Sequence, residues 1–359
     1  MKQLPAALLS LDQGRVLAGP ETVHVDVTNG CNTNCITCWD HSPLLRLART
    51  SDWKRGRLSL EALEALLDDV GSLGGFRKII LSGMGEPFTH PDIYRMIAAV
   101  KARGLQLTII TNLAAADPER VIELSVDQLL IGIHGASEAS YRAFHPSFRG
   151  DEWSRLHSAL ARFREAGRRY KHVQVVCETN AHELPEMIQL AKDANALAVT
   201  FKLASLRGGT ETCGIGEEQR AQLSDDGVPR ALELARALGV STNLVVFAEQ
   251  LRAGGRSTAP IADIGCFMGY AYSRITVDGT VLYCCNTEVV VGRLSEARFG
   301  DLWRGDAWNA LRARLRRGEY FDGCRHCGKL SQNVELGARF AERYGKQRFL
   351  EVIGRGGET

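Results

Sequence analysis

Apolar residues recur along this chain at two spacings. From residue 23 to residue 205, short β-branched and aliphatic runs alternate with longer stretches of helical period. The strand candidates are His24–Thr28, Lys78–Leu81, Leu107–Ile110, Leu129–Ile133, Val173–Cys177 and Val199–Leu203. Between them the pattern predicts helices over Leu60–Leu73, Pro91–Arg103, Pro118–Leu124, Asp151–Ala166 and Leu184–Ala194. Alternating strands and helices give a parallel sheet with right-handed crossovers. Six units are too few to close an eight-stranded barrel, so the expected fold is α/β: an open partial (β/α)6 barrel of parallel strands.

In the first strand His24, Asp26 and Thr28 alternate with Val25 and Val27, so one face is polar and suits the lining of a cavity. Ligands of parallel α/β sheets bind at the carboxyl ends of the strands. Residues 206–261 are less regular, punctuated by Gly208-Gly209 and Gly254-Gly255 with one helix around Val228–Leu238, and read as a bridge. A cysteine-bearing module over 262–330 follows, then a helical tail over 331–359. Residues 1–20 read as a helical extension and 21–205 as the partial barrel.

Composition narrows the class. Of 359 residues 45% are hydrophobic and 24% charged, the balance of a soluble globular chain. A net charge of +2 gives no footprint for nucleic acid. Arg312, Arg314, Arg316 and Arg317 fall on a predicted helix and read as a solvated face. No apolar run reaches the roughly 18 residues of a membrane span, so no membrane partner is expected. The run Leu4–Leu11 is broken by Pro5 and bounded by Asp12, and reads as a helix rather than a secretory signal.

Ten cysteines are many for this length, and their spacing points to metal rather than disulfides, as expected of a cytoplasmic protein. Cys31, Cys35 and Cys38 stand at C-x3-C-x2-C just past the first strand. Three thiolates on a [4Fe–4S] cluster leave one iron open, the mark of a catalytic site. The bland alternative is a zinc knuckle, or a cluster completed by a distant cysteine. The second strand ends in Ser82-Gly83-Met84-Gly85-Glu86-Pro87, a glycine-rich turn with a carboxylate that can receive an ammonium. The bland alternative there is an ordinary βα turn.

Together these segments resemble the radical S-adenosylmethionine (SAM) superfamily. Cys31, Cys35 and Cys38 match its cluster motif, and Trp39 holds the usual aromatic place after it. Met84, Gly85, Glu86 and Pro87 are similar to the "GGEP" element that binds the methionine amino group. Thr111-Asn112 resembles "TNG", with Leu113 in place of glycine. Ile133-His134-Gly135-Ala136-Ser137 resembles the "SIDGAS" segment near the cofactor, with Gly132 replacing the common serine and His134 the aspartate. Arg149 falls near the place of an arginine beside the methionine carboxylate. The resemblance implies reductive cleavage of SAM to a 5′-deoxyadenosyl radical, with an electron donor such as flavodoxin or ferredoxin.

Cys266, then twelve residues to Gly279, four more to Cys284, and Cys324-x2-Cys327 form a second set. It resembles the Twitch module, a short form of the SPASM domain that holds one auxiliary [4Fe–4S] cluster through four thiolates. Leu302-Trp303 and Leu311 fit its helix pattern. Cys285 is an alternative to Cys284, which the glycine spacing favours. A structural zinc site with four cysteine ligands has similar spacing and would make the chain a zinc-stabilised binding scaffold without catalysis.

Candidate catalytic residues are His134, Glu178 and Lys202, all at strand ends. With Gln174 also facing the cavity, Asp26, Glu178 and Lys202 would form a polar pocket for a sugar or aminocyclitol. Cys177 then faces the helices, and Cys213 is a bystander thiol or a hydrogen-atom donor. The expected reaction is a two-electron oxidation through the auxiliary cluster, as in Twitch-bearing aminocyclitol dehydrogenases. Epimerisation and maturation of a ribosomally made peptide are the alternatives.

Overall fold

The computed structural model describes residues 6–254 and 260–356. Nine strands form one sheet: β1 Thr22–Thr28, β2 Lys78–Gly83, β3 Gln106–Thr111, β4 Gln128–Gly132, β5 Lys171–Val176, β6 Ala198–Leu203, β7 Tyr272–Ile275, β8 Thr280–Leu282 and β9 Val290–Arg293. Their spatial order is β6-β5-β4-β3-β2-β1-β7-β8-β9. β1 to β6 are mutually parallel and sequential, as the alternation of elements requires. The sheet does not stop at β1. β7 adds to it in parallel, Thr22 opposite Tyr272 and Val25 opposite Ile275, and β8 and β9 continue antiparallel.

The helices form where the apolar period is 3.6. In Leu60–Ser72, Leu60, Leu63, Leu66, Leu67 and Val70 make one buried stripe, and Ser59 caps the start by accepting from the amide of Ala62. Asp117 caps Pro118–Glu123 in the same way, with Pro118 in the first turn. The outward side chains of the strands, among them Val23, Val25, Ile79, Leu81, Leu107, Ile109, Leu129 and Ile131, are at most 1% exposed against this layer.

Residues 206–254 do more than bridge. Helices Val228–Leu238 and Leu244–Arg252 bring Ala231, Ala235, Leu244 and Phe247 onto Val199 and Phe201 of β6, closing a second core over that end of the sheet. The N-terminal helix is Ala6–Gln13; Leu4 and Pro5 of the expected run lie outside the described residues. The tail breaks at Gly345, φ 89°, into helices Leu330–Tyr344 and Lys346–Val352.

The arginine run corrects the sequence reading at one position. Arg312 is 3% exposed, among Trp303, Trp308 and Tyr270. Its guanidinium donates to the carbonyls of Gly269 (2.7 Å) and Trp303 (2.8 Å) and to Asn309 Oδ1 (2.8 Å). Burial lowers its pKa to about 10. Charge patterning could not see this, because a guanidinium with carbonyl partners needs no carboxylate nearby.

Candidate active site

The loop after β1 carries Cys31, Cys35 and Cys38, and the end of β2 holds its start in place. Gly85 N donates to Thr28 O (3.2 Å) and Glu86 N to Gly30 O (2.8 Å). The approach is so close that a Cβ on Gly83 would lie 2.1 Å from Thr28 O, and one on Gly85 1.9 Å from Gly30 O. The glycines of the turn are therefore required by space. The far end of the loop is pinned by Ile36 N to Phe144 O (3.0 Å) and Ser147 N to Asn34 Oδ1 (2.8 Å).

The three thiols lie near enough to act on one another. Burial raises all three, Cys31 to about 12, and the neighbouring sulfurs raise Cys31 and Cys35 further. Such a trio ionises only beside positive metal. Three thiols on one loop match the three-thiolate set that leaves one iron of a four-iron cluster open. The amide of Asp40 points at Cys38 Sγ (3.5 Å), a contact that favours thiolate.

Glu86 is 3% exposed and accepts from Phe88 N (3.1 Å), Thr111 Oγ1 (2.6 Å) and Asn112 N (2.7 Å). Burial lifts its pKa to about 7 against the pull of these donors. The Asn112 side chain donates to Asn32 Oδ1 (2.8 Å), beside Cys31. Two residues read from the sequence as cofactor contacts thus also join β2 and β3 to the cysteine loop. Leu113, in the glycine place of that motif, keeps a positive φ of 66°. Met84 Sδ meets Arg274 Nη2 at 3.7 Å, and Pro87 is buried at the start of a short 3-10 turn.

The departures at Gly132 and His134 are one change. A Cβ on Gly132 would lie 2.7 Å from His134 Nε2, so the imidazole occupies the room of the missing side chain. His134, φ 64°, accepts from Val175 N through Nδ1 (3.0 Å), and burial holds it neutral, well below the ordinary histidine pKa. Arg149 is exposed on the loop before the helix Glu152–Glu165.

A cavity of about 1030 Å³ begins at the cysteine loop, with Asn29, Trp39, Asp40 and Met84, and ends at Cys284, Cys285, Cys324 and Cys327. Trp39 is fixed by its indole N–H to Ser205 O (2.6 Å) and by the Arg207 guanidinium 3.7 Å over its ring. Asp26 is not among the lining residues. Arg274 of β7 grips both its oxygens (3.0 Å each), and Ser82 Oγ donates to it at 3.2 Å. His24 bonds Ser82 on one side and the Tyr272 hydroxyl (2.9 Å) on the other. This buried chain crosses β7, β1 and β2, and nothing local in the sequence announced Arg274.

Three further placements differ from expectation. Gln174 faces the helices, fully buried and in register with Phe201. Glu178 is exposed past the end of β5 and does not line this cavity. Cys177 does line it, beside Cys213, because β5 ends at Val176 and the strand alternation stops there. Lys202 shares the concave face with Val175. Of the pocket expected from Asp26, Glu178 and Lys202, none of the three is among the residues lining this cavity; Leu203, next to Lys202, is.

At the far end Cys266, Cys324 and Cys327 each feel the charge of Cys285, and Cys284 and Cys285 feel one another. Either adjacent thiol can complete a four-cysteine set. Asn333, fully buried on the tail helix, accepts from Phe267 N (2.8 Å) and points its amide at Cys327 Sγ (3.8 Å). Sequence reasoning missed it; its one signal is a polar residue on an apolar helix stripe. No described helix is long and apolar enough to cross a membrane.

Comparison with known proteins agrees with this geometry. The Radical SAM superfamily profile matches residues 25–191, and that of the SPASM iron–sulfur cluster-binding domain matches 266–328. An AdoMet-dependent heme synthase of Methanosarcina barkeri is 24% identical over 305 residues, 79% of this chain and 82% of that protein. Streptococcus suis SuiB bound to S-adenosylmethionine superposes with a TM-score of 0.62 at 15% identity, over 91% of this chain and 74% of that one. The structure of anSMEcpe with bound AdoMet gives 0.62 at 14% identity, over 93% and 99%. Identities this low speak to fold alone. The chain carries a radical SAM domain of α/β fold and a C-terminal SPASM module, which together indicate SAM binding, a SAM-binding [4Fe–4S] cluster and an auxiliary [4Fe–4S] cluster.

Proposed function

We propose that this enzyme removes a hydrogen atom from a substrate held between the two cysteine sets, and that the substrate radical then loses an electron to the auxiliary site. Cys31, Cys35 and Cys38 are the proposed ligands of the SAM cluster; Cys266, Cys284, Cys324 and Cys327 those of the auxiliary one. When bound, the cluster held by Cys31, Cys35 and Cys38 would supply the electron for reductive cleavage of SAM, and that held by Cys266, Cys284, Cys324 and Cys327 an acceptor for the electron left on the substrate. Loss of one hydrogen atom, one electron and one proton makes a two-electron oxidation, the proton passing to water in the open cavity. The supporting observation is the cavity itself, which runs from Trp39 and Asp40 to Cys324 and Cys327. Trp39, Trp53, Leu203 and Leu206 give it apolar walls, and Met84 of the turn Gly83–Pro87 lines it too.

A sugar or aminocyclitol remains one substrate reading, without the expected polar pocket of Asp26, Glu178 and Lys202, none of which lines the cavity. A peptide is the second, favoured by the size of the cavity and by fold relatives such as SuiB, solved with its precursor peptide. The AdoMet-dependent heme synthase relatives add a third kind of substrate. The experiment is anaerobic reconstitution followed by a 5′-deoxyadenosine assay under reductant. Replacing Cys31, Cys35 and Cys38 by alanine abolishes the product. Replacing Cys324 and Cys327 spares uncoupled cleavage but stops substrate oxidation; equal oxidation would refute the electron-transfer role. A colourless protein holding zinc alone would sink the radical reading.

A further inference from the structure

Buried hydrogen-bond donors collect around the second cysteine set without acceptors to match them. Asn286 stands two residues past Cys284 and lines the cavity. Its backbone N–H points at Cys284 Sγ (3.4 Å), and its side-chain Oδ1 accepts from Glu288 N (3.0 Å). The second bond decides which end of the amide is oxygen. The other end, Nδ2, is buried and has no hydrogen-bond partner among the described residues. It packs on Gly323, the residue before Cys324, where a Cβ would lie 2.6 Å from it. One amide thus reaches from the Cys284 segment to the Cys324 turn.

Tyr320 adds a second such donor, four residues before Cys324. Its hydroxyl is buried and likewise has no partner among the described residues. Burial pushes its pKa up to about 12, and Cys266 and Cys324 both act on it, so the hydroxyl borders two of the four thiols. Asn333, with its amide toward Cys327 Sγ (3.8 Å), is the third donor of the group. A buried donor without an acceptor costs about 1–3 kcal/mol, and folded proteins rarely keep one. Here two of them border the same cysteines. A protonated thiol is a weak acceptor, whereas the thiolates and bridging sulfides of an iron–sulfur cluster are anionic ones. The orphaned donors therefore fit a cluster at this site.

We propose that Asn286 Nδ2 and the Tyr320 hydroxyl donate to the sulfurs of the auxiliary cluster and thereby raise its reduction potential. This rests on Cys266, Cys284, Cys324 and Cys327 being its ligands and on its proposed role as electron acceptor. A cluster that gains an electron gains negative charge on its sulfurs, so a bond donated to them strengthens on reduction. Neither residue brings a charge of its own; the effect comes from the two dipoles. A higher potential makes the site a better acceptor from a substrate radical, the direction that the proposed oxidation needs.

The test is an anaerobic redox titration of the auxiliary cluster followed by electron paramagnetic resonance. The full-length background carries Cys31→Ala, Cys35→Ala and Cys38→Ala, so that one cluster remains. Tyr320→Phe removes the hydroxyl alone and is the decisive variant; Asn286→Leu removes the amide at nearly constant volume. At a fixed potential each should raise the ratio of oxidised to reduced cluster at least fivefold, a downward shift of about 40 mV for one electron. Iron content, about four per chain, verifies folding and loading of each variant. Tyr170→Phe, just before β5, is the control and should leave the titration unchanged. A parental or higher potential in Tyr320→Phe, or in Asn286→Leu with full iron, would overturn the proposal. If Asn286→Leu does not load, Tyr320→Phe decides. A background protein that takes up zinc and no iron would instead refute the auxiliary cluster itself. Undiminished substrate oxidation without Cys324 and Cys327 would refute its acceptor role separately, whatever the titrations show.

Discussion

Gly85→Ala should disable the first cluster site while leaving the rest of the protein folded. The new Cβ would sit 1.9 Å from Gly30 O, 2.4 Å from Gly30 C and 2.7 Å from Asn29 C. A relaxed carbon–oxygen contact is about 3.3 Å, so one backbone must retreat by more than an ångström. That retreat breaks Glu86 N to Gly30 O, Gly85 N to Thr28 O and Thr89 Oγ1 to Gly30 O, now 2.8, 3.2 and 3.2 Å. At about 1 kcal/mol each, the loop loses about 3 kcal/mol of docking. The cost is local, because the cores of the sheet use neither residue. Reconstituted parent protein should hold about eight irons and the variant about four, all in the auxiliary site. SAM cleavage should vanish while the thermal midpoint stays within a few degrees. Gly71→Ala is the control, since a Cβ there meets nothing within 4 Å and alanine is the better helix former. A Gly85→Ala protein with full iron and parental cleavage would refute the close-approach argument.

Arg312→Leu should cost about 3 kcal/mol in denaturant unfolding, because it strands the carbonyls of Gly269 and Trp303 inside an aromatic core; a loss below about 1 kcal/mol would return Arg312 to the solvated face. His145 and His172, both essentially unexposed, are held to pKa values of about 4 by burial. The folded state thus binds their protons more weakly than the unfolded state, with its pKa near 6.5, so stability falls as pH drops from about 6.5 towards 4. At pH 5 each should cost about 2 kcal/mol relative to pH 7, and His172→Gln should remove about that share of the loss; an unchanged pH dependence of the denaturation midpoint would contradict it.

The six parallel strands and most of the helices between them were legible because each depends on its own apolar period. The cysteine sets were legible because their ligands are close in sequence. The helix Glu138–Phe144 was missed: seven residues beginning at the Ser137 cap are too short for a periodic signal. The joining of β7 to β1 was missed because no local pattern specifies which edge a four-residue strand will meet. The same distance hid Arg274, whose partner Asp26 lies 248 residues away. The polar pocket expected for the substrate came from strand alternation alone. It dissolved once Arg274 was seen to hold Asp26 and the chain to turn after Val176, exposing Glu178 and bringing Cys177 to the cavity.

One sheet fixes the relation between the two cysteine sets. Cys31 lies three residues past the carboxyl end of β1. β7 runs beside β1 in parallel, and β8 turns back, setting Leu282 opposite Arg274. Cys284, two residues on, therefore emerges near the level of Tyr272 and Thr22, at the amino end of β1. Six residues of extended chain separate Thr22 from Thr28, so the two sets stand roughly 20 Å apart along the strand direction, at about 3.3 Å per residue. The cavity spans that interval, and a substrate inside it divides the distance into two shorter ones. The chain Tyr272–His24–Ser82–Asp26–Arg274 lies along the same interval and ties β7, β1 and β2. A hinge between the modules would let the second site drift from the substrate radical; a shared ladder with a buried ion pair across it does not.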